Sequence, residues 1–376
     1  MTANAPLLSV IVRLRDDPRE AARVFDALSR SDLARPRWEL IVVALGPSPA
    51  AIELAVQHAD MIVRLERPWS SSSAYVCNRG AEVARAPVLV FLEGHVLVRP
   101  DTLGRVAAAF AEKKLAALVA GIDPAPPTAD VLTRCATLLH DSAHRRCLGD
   151  SEHFTTCASA IRRTVFFAAG GLDEWPTTPE ANAGTDLGLR LHALGHRVAL
   201  RDDVRVAHNG RVGWKEAAQP CPLQELPPPW LRVRGNRPST ETRRFREREQ
   251  RLSIWVWLAT AGIVIGASVR SAKAAVAAVL VGAVVLFVDA SVGLRMARNG
   301  GLAVAALAVL LRLSALLAQG ARAFANGVRA YVVGEPRPEP GIEALGEVGV
   351  PRWPPPPARP HPMIIREPAD ALRPPR

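Results

Sequence analysis

Short runs rich in β-branched residues alternate with longer stretches of helical apolar spacing from residue 7 to about residue 207, a pattern that predicts an α/β domain with a largely parallel sheet. Residues 7–13 read as the first strand. Asp17 and Pro18 then cap and open a helix through Leu28, the proline taking the first helical position, where its missing N–H costs nothing. A strand at 38–44, a helix at 50–58, a short strand at 61–65 and a helix at 73–85 follow, and the continuous apolar run 88–92 predicts a strand buried on both faces. Pro100 and Asp101 start a helix through Ala111, and residues 115–122 read as another strand. After a less regular stretch, a helix at 186–194 ends at Gly195 and gives way to a late strand at 196–200.

The pattern changes after residue 209. A linker at 210–250 is first rich in proline (Pro220, Pro222, Pro227, Pro228, Pro229) and then basic, with Arg243, Arg244, Arg246 and Arg248. Apolar runs at 252–269 and 274–294 rise roughly 27 to 31 Å as helices, enough to cross a bilayer, and predict a transmembrane hairpin within a membrane region at 251–332. The run at 302–317 carries Arg312 and reads equally as a third span or as an interfacial amphipathic helix. Asp289, inside the second run, is expected to face a partner helix or to snorkel. The proline-rich residues 333–376 are expected to be disordered.

Composition sharpens this picture. With 376 residues, 49% of them apolar, and a mean hydropathy of +0.09, the chain is too hydrophobic to be disordered and high for a purely soluble protein. The net charge of +11 is almost all arginine, and the basic residues flank apolar segments instead of interleaving with aromatics, which points to an anionic membrane surface and away from nucleic acid. The arginines preceding Leu252 place the N-terminal domain in the cytoplasm. The lack of a basic, apolar leader at the N-terminus points the same way. Five cysteines without a CxxC pair suggest reduced thiols, with Cys77 and Cys157 as buried small hydrophobes.

Glu93-Gly94-His95 sets an acid and an imidazole immediately after a buried strand, where ligands bind in open parallel sheets. The pair can face one cation, which would neutralise a diphosphate leaving group, or can be two solvated loop residues. The motifs around it come in a specific order: Ser9-Val10-Ile11-Val12, the strand from Trp38 to Val43, Asn78-Arg79-Gly80 with Ala84, and the strand to Leu92. Then follow Pro100-Asp101-Thr102-Leu103, Ile161-Arg162-Arg163, Gly170-Gly171-Leu172-Asp173-Glu174, the helix with Asp186 and Arg190, and a strand closing on His208. Over about residues 7–209 this order resembles the family 2 glycosyltransferases of the GT-A fold.

The resemblance implies a Rossmann-like GT-A domain at 1–209, ahead of the transmembrane hairpin that the apolar runs predict. It also implies a multi-pass enzyme of the cytoplasmic (inner) membrane that moves a sugar, with inversion, from a UDP- or GDP-sugar to a lipid-linked or cell-surface glycan. Donor binding would fall to Arg13, Arg15, Asp16, Asn78, Glu93 and Arg163, and Mn2+ or Mg2+ would sit on Glu93, His95 and His208. The acceptor proton would go to Asp186, or else to Glu174 or Glu180. Blander roles stand beside these: Asp186 as a stabilising carboxylate at a helix start, His208 as a packed strand-end histidine, and Arg162 and Arg163 as a solvated pair. The chain departs from the family at Ala44, where an Asp usually ends the second strand, and at Ala183-Gly184, where a Glu-Asp pair falls. These departures support an alternative, a catalytically inactive scaffold or binding subunit working with a membrane protein partner.

Overall fold

The computed structural model describes residues 5–376 except 15–16, 47, 67–71, 125–129, 175–179, 209–210, 219–222, 224–239, 269–272, 274–275, 277–278, 280–282, 284–289, 334–362 and 369–376. The first half follows the hydrophobic pattern: β1 (Leu8–Leu14), α1 (Pro18–Ser29), β2 (Trp38–Leu45), α2 (Pro49–His58), β3 (Met61–Glu66), α3 (Ser73–Val83) and β4 (Val88–Glu93). Asp17 caps α1 by accepting from the Arg19 N–H at 2.8 Å, and Ser48 and Ser72 cap α2 and α3 in the same way. The chain continues as β5 (Val96–Val98), α4 (Thr102–Ala109), β6 (Ala117–Ile122), α5 (Val131–Arg146), β7 (Gly149–Ser151), β8 (Ala158–Arg162), α6 (Arg163–Ala168), α7 (Glu180–Ala193), β9 (Val198–His208) and α8 (Trp214–Ala217).

The strands form one sheet in the order β10-β3-β2-β1-β4-β8-β6-β9-β5, where β10 is Met363–Pro368 and β7 also pairs with β9. Its β3-β2-β1-β4 part is parallel, but β8 runs against both β4 and β6, and β5 and β7 run against β9, so the sheet is mixed. The expected parallel character holds for the first half and returns in the second only where β6 pairs with β9. Strands β5, β7 and β8 are three to five residues long and β8 is built of Ala-Ser-Ala-Ile-Arg, too little β-branched surface to mark them in the pattern. Alternate residues of β1 enter opposite cores: Val10 and Val12 pack towards α1 and α4, and Ile11 packs towards α3 and α7. Phe91 anchors the second core against Phe154 and Phe166.

The C-terminal part departs from expectation in two places. Residues 241–250, read as linker, are the start of a helix, α9 (Glu241–Ser268), whose Thr242, Phe245, Arg246 and Glu249 are buried. The buried stripe has helical spacing but is made of polar and charged residues, which hydropathy cannot show. Within the tail read as disordered, β10 (Met363–Pro368) pairs antiparallel with β3 at the sheet edge.

The apolar run at 252–269 is helical through Ser268, whereas most of the run at 274–294, Asp289 included, lies outside the described residues, and so does the turn of the predicted hairpin. The third run belongs to α10 (Ala290–Val333), broken at Gly301, whose φ of +82° suits glycine. Among the described residues one helix, Gly300–Ala325, is long and apolar enough to cross a membrane, with mean hydropathy 2.2 and a third of its apolar window buried. Val304, Ala308 and Leu311 pack on Cys135 and Leu138 of α5, and Leu316 packs on Leu252 and Val256 of α9, while Leu302, Leu310 and Phe324 face outward.

Arg312, the charge inside this run, meets the fully buried Glu249 of α9 at 2.5 Å. Removing one partner of such a pair leaves an uncompensated buried charge. Glu249→Ala is therefore expected to destabilise the chain by about 3–5 kcal/mol, and a Glu249→Leu/Arg312→Leu double variant to be close to neutral, as read from denaturant unfolding in detergent.

Candidate functional site

The parallel register of β1 and β4 sets Arg13 beside Glu93 at the carboxyl ends of both strands. Ser73, the first residue of α3, joins them: its Oγ accepts from Arg13 Nη1 at 2.7 Å and donates to Glu93 Oε1 at 2.6 Å. Thr156 Oγ1 donates to the same carboxylate oxygen at 3.2 Å, and His95 Nδ1 stands 3.7 Å from the other. The Glu93 N–H donates to the Cys157 carbonyl at 3.1 Å, which draws the Cys157 Sγ to 3.4 Å from His95 Nε2. Burial, reinforced by the Glu93 carboxylate, pushes the Cys157 thiol far up, so it stays protonated. Pairing of Val96 with His208 brings the His95 and His208 rings within 5.1 Å.

Glu93, His95 and His208 thus stand side by side, and the buried Nδ1 of His208 has no hydrogen-bond partner. They do not yet form a cation cage: Glu93 and Cys157 approach opposite nitrogens of His95, and among the described residues no three acidic, histidine or cysteine side chains converge as a ligand set. Behind His208, burial, with the nearby His144 and His208 adding, pushes His140 of α5 down to about 4. Burial lowers His144 and His153 in the same direction.

The remaining predicted residues lie elsewhere. Asn78, about a turn and a half along α3 from Ser73, donates to the Leu172 carbonyl and to Glu174 Oε1 at 2.6 Å, and accepts from the Leu172 N–H. Its work is to hold the Gly170-Gly171 turn. Glu174 also meets Arg79 at 2.8 Å, and burial raises its carboxyl above the ordinary value against the pull of that guanidinium. Asp186 does not open a helix, because α7 begins at Glu180. It lies buried in the helix and pairs with Arg190 at 2.8 Å, whose guanidinium also caps the Ala169 and Gly171 carbonyls. Arg162 and Arg163 are not a solvated pair. Arg162 closes the end of α4 through the Phe110, Glu112 and Leu115 carbonyls, and Arg163 lies over the Phe167 ring. Arg15, Asp16 and the Glu180 side chain fall outside the described residues.

Position 184 has a steric explanation. Residues 152–155 lie directly on α7, so that a Cβ at Gly184 would collide with the Phe154 carbonyl oxygen and one at Gly188 with that of Glu152. A carboxylate cannot occupy 184 while this segment is in place. The pattern of the sequence missed Ser73 and Thr156. Ser73 carried only the signal of a helix start, and Thr156 sits in a stretch with no motif.

Residues 9–168 match the model of glycosyl transferase family 2. Over that stretch the chain is similar to family 2 glycosyltransferases. The matched stretch covers Arg13, Ser73, Glu93, His95, Thr156 and Cys157 but ends before α7 and His208. Two curated validoxylamine A glucosyltransferases, from Streptomyces hygroscopicus subsp. jinggangensis (strain 5008) and subsp. limoneus, are each 26% identical over 227 residues, 52% of this chain and 53% and 49% of theirs. The chain spans about half the length of these curated relatives. Among solved structures, a mannosyltransferase of Pyrobaculum calidifontis in complex with GDP-Man and Mn2+ aligns at 16% identity and TM-score 0.47 over 89% of each chain. Residues 1–349 of TarS from S. aureus align at 12% identity and TM-score 0.42, over 54% of this chain and 60% of that one.

Two outcomes follow from this geometry. Gly184→Asp is expected to cost about 1–3 kcal/mol or more of stability and to bring no gain in transfer activity, measured by thermal unfolding and turnover of the same sample. Because His140 titrates near 4 when folded and near 6.5 when unfolded, its contribution is fully present above pH 6.5 and is lost as pH falls towards 4. The unfolding midpoint should drop through that window, and His140→Gln should flatten the slope.

Proposed function

We propose that the chain is a membrane-associated glycosyltransferase that moves a hexosyl group, with inversion, from a UDP- or GDP-sugar to a hydroxyl of a lipid-linked or cell-surface glycan precursor. The observation that carries this reading is the Arg13–Ser73–Glu93 cluster at the carboxyl ends of parallel strands, inside the stretch that matches family 2. In the transfer the acceptor oxygen bonds to the anomeric carbon as the bond to the diphosphate breaks, and the negative charge leaves with the diphosphate. Arg13 stands at the strand end where a cation would offset that charge, and Glu93 offers a carboxylate oxygen to donor hydroxyls. A divalent ion, Mn2+ or Mg2+, would neutralise the diphosphate directly, with Glu93, His95 and His208 to hold it; the orphaned His208 Nδ1 favours this.

The acceptor proton would go to Glu174, whose carboxyl burial raises in the direction that suits a proton acceptor, or else to Glu180 or Asp186. The apolar run 252–269 and the outward-facing Ile254, Trp255, Leu258, Ile263 and Leu302 support attachment to the cytoplasmic membrane, with the α/β domain in the cytoplasm and more than one span. Tethering in that plane raises the effective concentration of a lipid-linked acceptor. A second reading, an inactive scaffold for a membrane protein partner, is favoured by one observation: Glu174 and Asp186 are both engaged with arginines and position 184 cannot carry an acid. Loss of a general base costs about 10²–10⁴-fold in rate.

Calorimetric titration of the full chain in detergent with UDP and GDP separates the two readings. Binding that needs Mn2+ and weakens at least about ten-fold in Glu93→Ala is expected of the transferase. A folded chain that binds neither nucleotide would leave the scaffold.

A further inference from the structure

The first turns of α9 lie against the α/β domain, and the largest side chain they bury is a cation. Arg246 is 1% exposed and is the bulkiest fully buried side chain among the described residues. Its Nη1 donates to Glu152 Oε1 at 2.7 Å and its Nε to the Leu223 carbonyl at 3.3 Å, while Nη2 lies 3.4 Å from both Thr185 Oγ1 and His153 Nδ1. One turn earlier, Thr242 Oγ1 donates to Ser151 Oγ at 2.7 Å, and that oxygen also accepts from the His153 N–H. Buried ion pairs of this kind are seldom more stable than well-packed apolar residues of the same volume. What the pair supplies is a fixed position.

Three of these partners, Ser151, Glu152 and His153, fall on one segment, residues 151–157. Its middle is pressed onto α7 at Gly184 and Gly188. Its far end supplies Thr156 to Glu93, Cys157 to His95, and the Cys157 carbonyl to the Glu93 N–H. The segment is therefore a strap fastened by α9 at one end and by the end of β4 at the other.

We propose that Arg246 is a positioning residue: through Glu152 and His153 it holds residues 151–157 so that Thr156 and Cys157 stay on Glu93 and His95. Assembly of the donor site then depends on docking of the helix that leads into the apolar run. The proposal rests on the reading of Glu93 and His95 as the donor site, and the contact path can be tested apart from that reading.

The test is native-state alkylation of Cys157 in the full chain in detergent, followed by peptide mass spectrometry for wild type and Arg246→Met. Cys77 and Cys147, buried in the core on the α3 and α7 side, serve as internal controls. Cys157 is expected to react about ten-fold faster in the variant with both controls unchanged. Arg246→Lys, which returns a cation to Glu152, should recover part of the protection, and affinity for UDP or GDP should fall in the same order. Equal acceleration of all three cysteines would mean general loss of stability, and an unchanged Cys157 rate would mean no clamp; either overturns the proposal. If Arg246→Met does not fold, Arg246→Lys and Thr242→Val carry the same measurement. A wild type that binds neither nucleotide sinks the functional reading, while the Cys157 rates still decide the clamp.

Discussion

Glu93 ends a strand buried on both faces, and its carboxylate emerges among Ser73, Thr156 and His95, each from a different element. A partly buried carboxylate needs such partners, because each unsatisfied oxygen costs more than a surface contact returns. The rest of the site is arranged around that demand. The start of α3 supplies the serine, the loop after β4 returns the imidazole, and the segment before β8 supplies the threonine. Arg13 reaches the group because β1 and β4 are paired in register, and a shift of one strand by one residue would put the two side chains on opposite faces of the sheet.

A second set of polar contacts holds the side of the domain formed by α3, α6 and α7 in shape. Asn78, Glu174 and Arg79 tie α3 to the turn after α6, and Asp186 with Arg190 ties α7 to the same turn. Carboxylates that sequence order marks as chemical are in this arrangement also structural, so any chemistry at Glu174 competes with its bond to Arg79. The glycines at 184 and 188 belong to the same logic: they let the 152–155 backbone lie on α7 at a distance no side chain permits.

Much of the fold was legible because strands β1 to β4 are long, β-branched and separated by capped helices, so period and punctuation agree. The pairing of Glu93 with His95 and the approach of His208 followed from motif order. What was not legible is what depends on short or polar elements. Strand β8, with its alanines and serine, turned a parallel sheet into a mixed one, and α9 began in a basic run whose buried stripe is Thr, Phe, Arg and Glu. Ser73 and Thr156 are common residues with no spacing of their own, and only the folded chain shows that both point at one oxygen.

The proline-rich stretch before residue 240 looks like a natural place to divide the α/β domain from the apolar runs that follow. The packing of α9 makes it a poor one. A chain ending there keeps Glu152 in the interior and discards the guanidinium that neutralises it, at a cost of several kcal/mol, and also uncovers the surface on which Phe245 lies. The α/β domain and the apolar run therefore overlap along the same helix, and the two are not exchangeable modules. A version of the domain that is to behave like the whole protein has to keep α9 at least through Glu249.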